Sequence, residues 1–138
     1  MKLHTYLNFG GNCLEAFQFY EKHLGGKIKM KMTFGEQPGE QTVPPEQKDK
    51  ILYIDMELGE ATIMASDVPT HFEPMRSVYL SLGVSSDEEA ERVYKLLSDG
   101  GEICMPMAET FFAHRFAMLR DKFGTSWMVI HGKMPPQA

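Results

Sequence analysis

The chain has 138 residues, a net charge of −5 and a hydrophobic content of 43%, which is the composition of one ordinary globular domain. The negative charge argues against nucleic acid as a partner, because phosphate backbones attract basic surfaces. No run of about 18 apolar residues is present, so we expect no membrane span and no membrane partner. Residues 1–4 lead directly into a strand pattern rather than into a signal-peptide core, which predicts a cytoplasmic protein.

Residues 3–9 alternate apolar and polar side chains, a pattern that predicts a β-strand. Asn12, with Glu15 three positions later, predicts a capping box at the start of a helix. Gly25-Gly26 predicts the end of that helix, since glycine readily adopts the left-handed conformation of a C-cap. The chain is therefore expected to begin with a strand followed by a helix.

Residues 27–34 alternate again and predict a half-buried strand with a solvated face of Lys27, Lys29 and Lys31. Residues 35–50 contain three prolines and no periodicity, which predicts a loop that is either mobile or a functional lid. The first repeat ends with a predicted hairpin, whose strands are 51–58 and 61–65. A linker that contains prolines follows at 68–75.

The second half of the chain repeats this plan. Tyr6-Leu7 returns 73 positions later as Tyr79-Leu80, and Gly25-Gly26 returns 75 positions later as Gly100-Gly101. The predicted elements are a strand at 78–84, a helix capped by Ser86 and Glu89, a strand at 102–105 ended by Pro106, and a hairpin at 115–121 and 127–131.

The two repeats predict one domain over residues 1–138, made of module 1 (1–67), a linker (68–75) and module 2 (76–138). Each module has the order β-α-β-β-β, and eight strands with two helices belong to the α+β class. Two copies of one unit tend to form a cleft in which small molecules bind. Cys13 and Cys104 lack the spacing of a metal or redox motif, so we expect free thiols.

Several motifs follow this order along nearly the whole chain. They are Tyr6-Leu7-Asn8-Phe9-Gly10-Gly11-Asn12, Glu15-Ala16-Phe17, Phe19-Tyr20, Lys48-Asp49-Lys50-Ile51, Met64-Ala65-Ser66-Asp67, Glu109-Thr110-Phe111, Arg115-Phe116, Asp121-Lys122-Phe123-Gly124 and Trp127-Met128. With them the chain resembles the PhnB-like branch of the vicinal-oxygen-chelate superfamily, which includes glyoxalase I, extradiol dioxygenases and the bleomycin and fosfomycin resistance proteins. One departure is Thr5, where the branch often has proline. The resemblance implies a cupped mixed β-sheet of two tandem βαβββ modules and a homodimer.

The resemblance also implies four positions for a divalent metal, two at the start of the first strands and two in the last strands. In this chain they hold His4, Met64, Ser77 or Tyr79, and Met128. Nickel, zinc, iron or manganese sites need three or four His, Glu, Asp or Cys ligands, and thioethers are poor substitutes. We therefore expect no metal and no other cofactor, with His4 as a weak candidate ligand. No glycine-rich turn with the spacing of a nucleotide site supports the methyltransferase label that the branch sometimes carries.

Two further groups are candidates for function. Glu109, His114 and Arg115 could form a polar ligand clamp with acid–base capacity, or Arg115 could pair with a carboxylate such as Asp121 and hold the loop. An apolar ligand-binding cup, or alternatively simple core, is expected from Tyr6, Phe9, Tyr53, Met64, Tyr79, Phe111, Phe112, Trp127 and Met128. Met64 and Met128 are expected to point into this cup, with Trp127 behind it. Asp67 is expected in an Asx-type turn.

The favoured hypothesis is a metal-free protein that binds a small, partly aromatic or apolar molecule for sequestration or regulation. The alternative is a metal-dependent lyase, isomerase or dioxygenase with an unusual ligand set built on His4, Glu109 or His114. A structural dimer without any ligand is a third hypothesis.

Overall fold

Both repeats contain the predicted helix and four strands in the predicted order. The computed structural model describes residues 1–39 and 43–133; positions 40–42 of the predicted 35–50 loop and the end of module 2 at 134–138 lie outside the described residues. The chain divides into two compact units, Met1–Pro74 and Met75–Ala138, with the division inside the segment 68–75.

The first unit is a four-stranded mixed sheet with one helix. Its sheet has the order β1-β4-β3-β2, in which only β1 and β4 are parallel. Its elements are β1 (Thr5–Phe9), α1 (Cys13–Leu24), β2 (Lys27–Thr33), β3 (Ile51–Leu58) and β4 (Ala61–Asp67).

The second unit has the same topology, with sheet order β5-β8-β7-β6 and a parallel β5–β8 pair. Its elements are β5 (Leu80–Gly83), α2 (Asp87–Ser98), β6 (Glu102–Ala108), β7 (Ala113–Arg120) and β8 (Ser126–Gly132). The prediction of an α+β fold with two β-α-β-β-β modules is confirmed.

Each unit has its own core between the helix and one face of the sheet. In the first unit Phe17 of α1 packs edge-on against Phe9 of β1, with ring centroids 6.2 Å apart. In the second unit the buried face of α2 consists of Ala90, Val93 and Leu97, as the helical periodicity predicts. The other face of each sheet is not covered by its helix.

The two helices start in different ways. Ser86 caps α2 as predicted, because its hydroxyl accepts a hydrogen bond from Glu89 N at 3.0 Å, although the Glu89 carboxylate reaches the amide of Ser85 rather than that of Ser86. The capping box predicted at Asn12 is wrong, since Asn12 occupies the N-cap of α1 without a capping hydrogen bond from its side chain. A distant carboxylate, that of Asp67, accepts from the amides at this helix start instead.

The strand predicted to end before Pro106 is also wrong, because β6 continues to Ala108. Proline is tolerated there because β6 is an edge strand whose pairing with β7 is irregular between Met105 and Ala108, so no inner ladder bond is lost. In the predicted loop, two short 3₁₀ turns occupy Phe34–Glu36 and Pro45–Gln47. Among the described residues, no helix is long and apolar enough to cross a membrane.

Candidate functional site

The helix-free face of the first sheet gathers three of the predicted cup residues. Two of them are Tyr6 of β1, which pairs with Met64 of β4, and Met64 itself. Met64 also pairs with Asp55 of β3, so Tyr6, Met64 and Asp55 lie on the same face. Asp55 pairs in turn with Met30 of β2, which completes a row across all four strands. Tyr6 is 49% exposed and Met30 is 50% exposed, so this row is open at both edges of the sheet.

Tyr53 lies on the same face, two residues before Asp55. Its hydroxyl donates a 2.8 Å hydrogen bond to Oδ2 of Asp55. Burial first, and then this bond and the negative charge of Asp55, raise the pKa of Tyr53, so the phenol remains neutral and stays a donor. The face therefore combines two phenols, two thioethers and one carboxylate.

The helix-free face of the second sheet has a related composition. Ser81 of β5 pairs with Met128, and Met128 pairs with Met118 of β7. Tyr79 precedes β5, and its pKa is raised first by a hydrogen bond with the Cys104 side chain and then by burial. Arg120, at the end of β7, lies 3.8 Å from the Glu102 carboxylate through Nη1.

The remaining predicted cup residues lie elsewhere. Phe9 and Trp127 are buried in the cores of their units, on the sheet faces that the helices cover. The expected position of Trp127 behind Met128 agrees with this placement. Phe111, which is 92% exposed, packs edge-to-face against Phe112 in the turn between β6 and β7, and Phe112 packs edge-to-face against Phe116. The structure therefore does not bring the nine predicted residues onto one surface.

Ion pairs engage the polar candidates in the second unit. Arg115 Nε lies 3.3 Å from Glu91, and its Nη2 lies 3.6 Å from Asp87, both on α2. The suggested partner Asp121 is not involved, because its carboxylate accepts hydrogen bonds within the β7–β8 turn and from Trp127. The Arg115 side chain thus links β7 to α2 through two ion pairs.

The two other polar candidates, Glu109 and His114, also contact side chains of the second unit. Glu109 lies 3.0 Å from the ammonium group of Lys133, and the hydrogen bond with this group is the main reason why the pKa of Glu109 is lowered. The His114 ring packs 4.9 Å from the ring of His131, which contacts Asp87 at 2.8 Å. Acidic and basic side chains line a groove of about 580 Å³ beside α2. They are Asp87, Glu88, Glu91, Arg92, Lys95 and Arg115.

The four positions implied for a metal do not carry a fitting donor set. Only His4, an exposed residue before β1, supplies a usual ligand. No cluster of three or more His, Cys, Asp or Glu side chains with metal-binding geometry occurs within 1–39 and 43–133. The donors present therefore do not suit a hard divalent ion, and the expectation of a metal-free protein stays a prediction.

The strand register also corrects the equivalence of Met64 and Met128. Leu7 and Leu80 are matching residues of the repeat, and they pair with Ala65 and Trp127, respectively. The match for Met64 is therefore Ser126, and the match for Met128 is Ser66. The offset between the repeats is 73 residues at Leu7 and Leu80 but 62 residues at Met64 and Ser126, so counting along the chain with one offset could not find this register.

Sequence reasoning missed Asp55 and Arg120. The Asx-type turn expected at Asp67 is wrong, because the Asp67 carboxylate accepts from the distant amides of Gly11, Cys13 and Ile51. The alternation of β3, in which Tyr53, Asp55 and Glu57 interleave with buried Ile54 and Met56, contained the signal for Asp55. A charged residue in such a pattern is normally interpreted as solvated. The role of Asp67 depends on contacts across more than 50 residues, for which the sequence offers no local signal.

Comparison with known proteins identifies the family. The family model described as 3-demethylubiquinone-9 3-methyltransferase matches residues 1–130. Protein YjdN of Escherichia coli (strain K12) is 32% identical over 145 residues, which span 99% of this chain and 99% of that protein.

Solved structures agree with this assignment. Protein PA1353 from Pseudomonas aeruginosa is 39% identical with a TM-score of 0.85, covering 95% of this chain and 97% of that one. A PhnB protein from Bacillus cereus, titled a putative 3-demethylubiquinone-9 3-methyltransferase, is 25% identical with a TM-score of 0.79, covering 95% and 99%. A glyoxylase/bleomycin resistance protein/dioxygenase domain from Frankia sp. EAN1pec, at 17% identity, 96% and 98% coverage and a TM-score of 0.63, shares the fold.

The predicted resemblance is thereby confirmed at the level of family and fold. The chain belongs to the family described as 3-demethylubiquinone-9 3-methyltransferase, and it is similar to a PhnB protein over nearly its whole length.

Proposed function

We propose that this protein binds a small, partly aromatic or apolar molecule on the helix-free faces of its sheets, without a metal ion. The observation that carries the proposal is the meeting of Tyr6, Tyr53 and Met64 on one such face of the first unit. Sequestration or regulation is the role that fits such binding. The resemblance to the PhnB-like branch implies a homodimer, and the strand pattern that follows residues 1–4 predicts a cytoplasmic protein, so we also propose a cytoplasmic homodimer.

The chemistry of the first face suits flat organic ligands. Thioether side chains adapt their shape and are polarisable, so Met30 and Met64 can pack against varied rings. Tyr6 and Tyr53 add aromatic surface and phenolic hydroxyls that can orient a polar group of the ligand. Because these side chains are half-buried or exposed rather than packed in the core, a ligand reaches them without unfolding the unit.

We further propose that no nucleotide cofactor binds at the Gly10-Gly11 turn, although the family description names a methyltransferase. The amide of Gly11 already donates to the Asp67 carboxylate at 2.9 Å, and its carbonyl oxygen accepts from Lys50 Nζ at 2.8 Å. A cofactor anchored there would have to displace both bonds. We expect no change in the protein's NMR spectrum on addition of S-adenosylmethionine; saturable shifts around Gly11 would refute this proposal.

Methyl NMR of methionine tests ligand binding directly. Protein labelled with carbon-13 at the methionine methyl groups would be titrated with neutral aromatic probes such as 2-phenylethanol and indole, with signals assigned by single Met→Leu variants. We expect saturable shifts of the Met30 and Met64 signals. Met56 serves as the internal control, because it is fully buried on the face that α1 covers. Absence of Met64 shifts with neutral, cationic and anionic aromatic probes alike, or equal shifts at Met56, would overturn the proposal.

The metal-free part of the proposal has a separate test. Elemental analysis of the purified, dialysed protein, combined with native mass spectrometry, should find a dimer without stoichiometric nickel, zinc, iron or manganese. One bound ion per chain would instead support the metal-dependent enzyme. No contact of His4, Glu109 or His114 favours that enzyme, since Glu109 is held by Lys133 and His114 packs on His131.

A further inference from the structure

The two repeats place opposite charges at the same position of their helix-free faces. In the first unit, Asp55 pairs with Met64, the residue beside Tyr6. In the second unit, Arg120 pairs with Ser126, which matches Met64 in the repeat. Asp55 and Arg120 are therefore equivalent residues, one acidic and one basic.

The two charges differ in how they are compensated. Arg120 lies 3.8 Å from the Glu102 carboxylate on the neighbouring strand β6. Asp55 has no ion pair with any described residue, and Lys29 on the neighbouring strand β2 instead lies 3.9 Å from Glu57. Tyr53 donates to Oδ2 of Asp55, while no donor within the described part of the chain reaches Oδ1. The first face therefore presents one uncompensated negative charge.

The surroundings of this charge strengthen its effect on a ligand. Asp55 is half-buried between the thioethers of Met30 and Met64, so water screens its charge less than at a free surface. The rings of Tyr6 and Tyr53 are on the same face, and aromatic faces attract organic cations. A carboxylate with an unoccupied oxygen beside aromatic rings selects an ammonium group and repels an anion.

We propose that the helix-free face of the first unit binds aromatic or apolar molecules that carry an ammonium group, with Asp55 as the charge-recognising residue. This inference rests on the proposed small-molecule function and adds the chemical class of the ligand. The ammonium group contacts Oδ1 of Asp55, and the apolar body of the ligand lies over Met30, Met64 and the tyrosine rings.

Three matched probes test the inference, with the methionine methyl signals as readout at pH 7. They are 2-phenylethylamine, which is protonated at this pH, 2-phenylethanol, its neutral counterpart, and 3-phenylpropanoate, an anion. We expect the amine to bind about fivefold to tenfold more tightly than the alcohol, and the carboxylate to bind most weakly. Equal affinities for the amine and the alcohol would overturn the inference.

The variant Asp55→Asn separates charge from shape, because asparagine can still accept the hydrogen bond from Tyr53. In this variant the affinity for the amine should fall to that for the alcohol. Glu60→Gln, in the exposed β3–β4 turn, removes a charge of the same sign outside the face and should keep the preference for the amine. A preference that survives Asp55→Asn would refute the role of Asp55.

The outcomes distinguish the two proposals. If 2-phenylethanol shifts the Met64 signal as strongly as the amine does, small-molecule binding stands and ammonium selectivity fails. If no probe shifts the Met64 signal, the proposed function itself fails. Should Asp55→Asn not fold, the comparison of amine, alcohol and carboxylate on the unaltered protein still decides.

Discussion

The indole Nε1 of Trp127 donates a 2.9 Å hydrogen bond to Oδ2 of Asp121 inside the second unit. The other carboxylate oxygen of Asp121 accepts from the amides of Phe123 at 3.0 Å and Thr125 at 2.9 Å. Trp127 is fully buried and Asp121 nearly so. One carboxylate thus shapes the β7–β8 turn and satisfies the polar atom of the largest core side chain.

Replacing Asp121 by asparagine should destabilise the protein strongly. The new amide group would face either the indole N–H or the two backbone amides, and a buried unsatisfied donor costs about 1–3 kcal/mol. We expect a loss of about 2 kcal/mol in the free energy of unfolding, measured by urea denaturation with Trp127 fluorescence. Asp99→Asn, at the exposed end of α2, is the control and should leave the midpoint nearly unchanged. Matching midpoints for both variants would contradict the role of Asp121.

Asp67→Ala should cost more stability than Ser86→Ala. Asp67 accepts from the amides of Gly11, Cys13 and Ile51 at 2.9, 3.1 and 2.8 Å, so its loss leaves three donors without their acceptor. We expect a cost of about 3 kcal/mol, against about 1 kcal/mol for removal of the Ser86 cap. Denaturation midpoints of the two variants check this order; a larger loss for Ser86→Ala would show that Asp67 contributes little.

Gly101→Ala should be poorly tolerated. A Cβ atom at Gly101 would collide with the carbonyl oxygen of Arg120, and backbone cannot rotate away as a side chain can. We expect a loss of more than about 2 kcal/mol, from the strain typical of overpacking. Gly83→Ala is the matched control, because no atom lies within 4 Å of the added methyl group. Thermal unfolding of the two variants should differ clearly, and similar melting temperatures would rule out the collision.

Stability in acid should depend on Asp87. The hydrogen bond with His131, followed by the charges of Arg115, His131 and His114, holds the pKa of Asp87 below its ordinary value of 3.8. The ionised form therefore stabilises the folded state above that value, and this contribution disappears as the pH falls through the folded-state pKa.

The test compares the parent protein with Asp87→Asn by urea denaturation between pH 7 and pH 3. The parent should be the more stable at pH 7, and the difference should shrink towards pH 3. Glu88→Gln, an exposed neighbour on the same helical turn, controls for the loss of one negative charge. A difference that stays constant across this pH range would show that Asp87 gains nothing from its cationic neighbours.

The repeat carried most of the information about the fold. Periodicity placed both helices and all eight strands, because a strand alternates its faces and a helix repeats every 3.6 residues. It also marked both glycine pairs. Gly25 and Gly100 adopt φ angles of 77° and 76°, whereas Gly26 and Gly101 leave no room for a Cβ atom beside Met56 and Arg120. The sequence alone cannot distinguish a glycine that is required by its φ angle from one that is required by the lack of space for a Cβ atom.

The duplicated pattern of the sequence determined by itself the fold class and the order of elements, and the motifs along the chain carried the resemblance to the family. Only the tertiary structure decided which residues share a face: Asp55 with Tyr6, Tyr53 and Met64, but Trp127 with Asp121 in the core. Local periodicity specifies which side of its own strand a residue occupies, while the pairing of distant strands specifies its neighbours. That pairing depends on register, and the change in offset between the first and last strands of the two repeats hid the equivalence of Asp55 and Arg120.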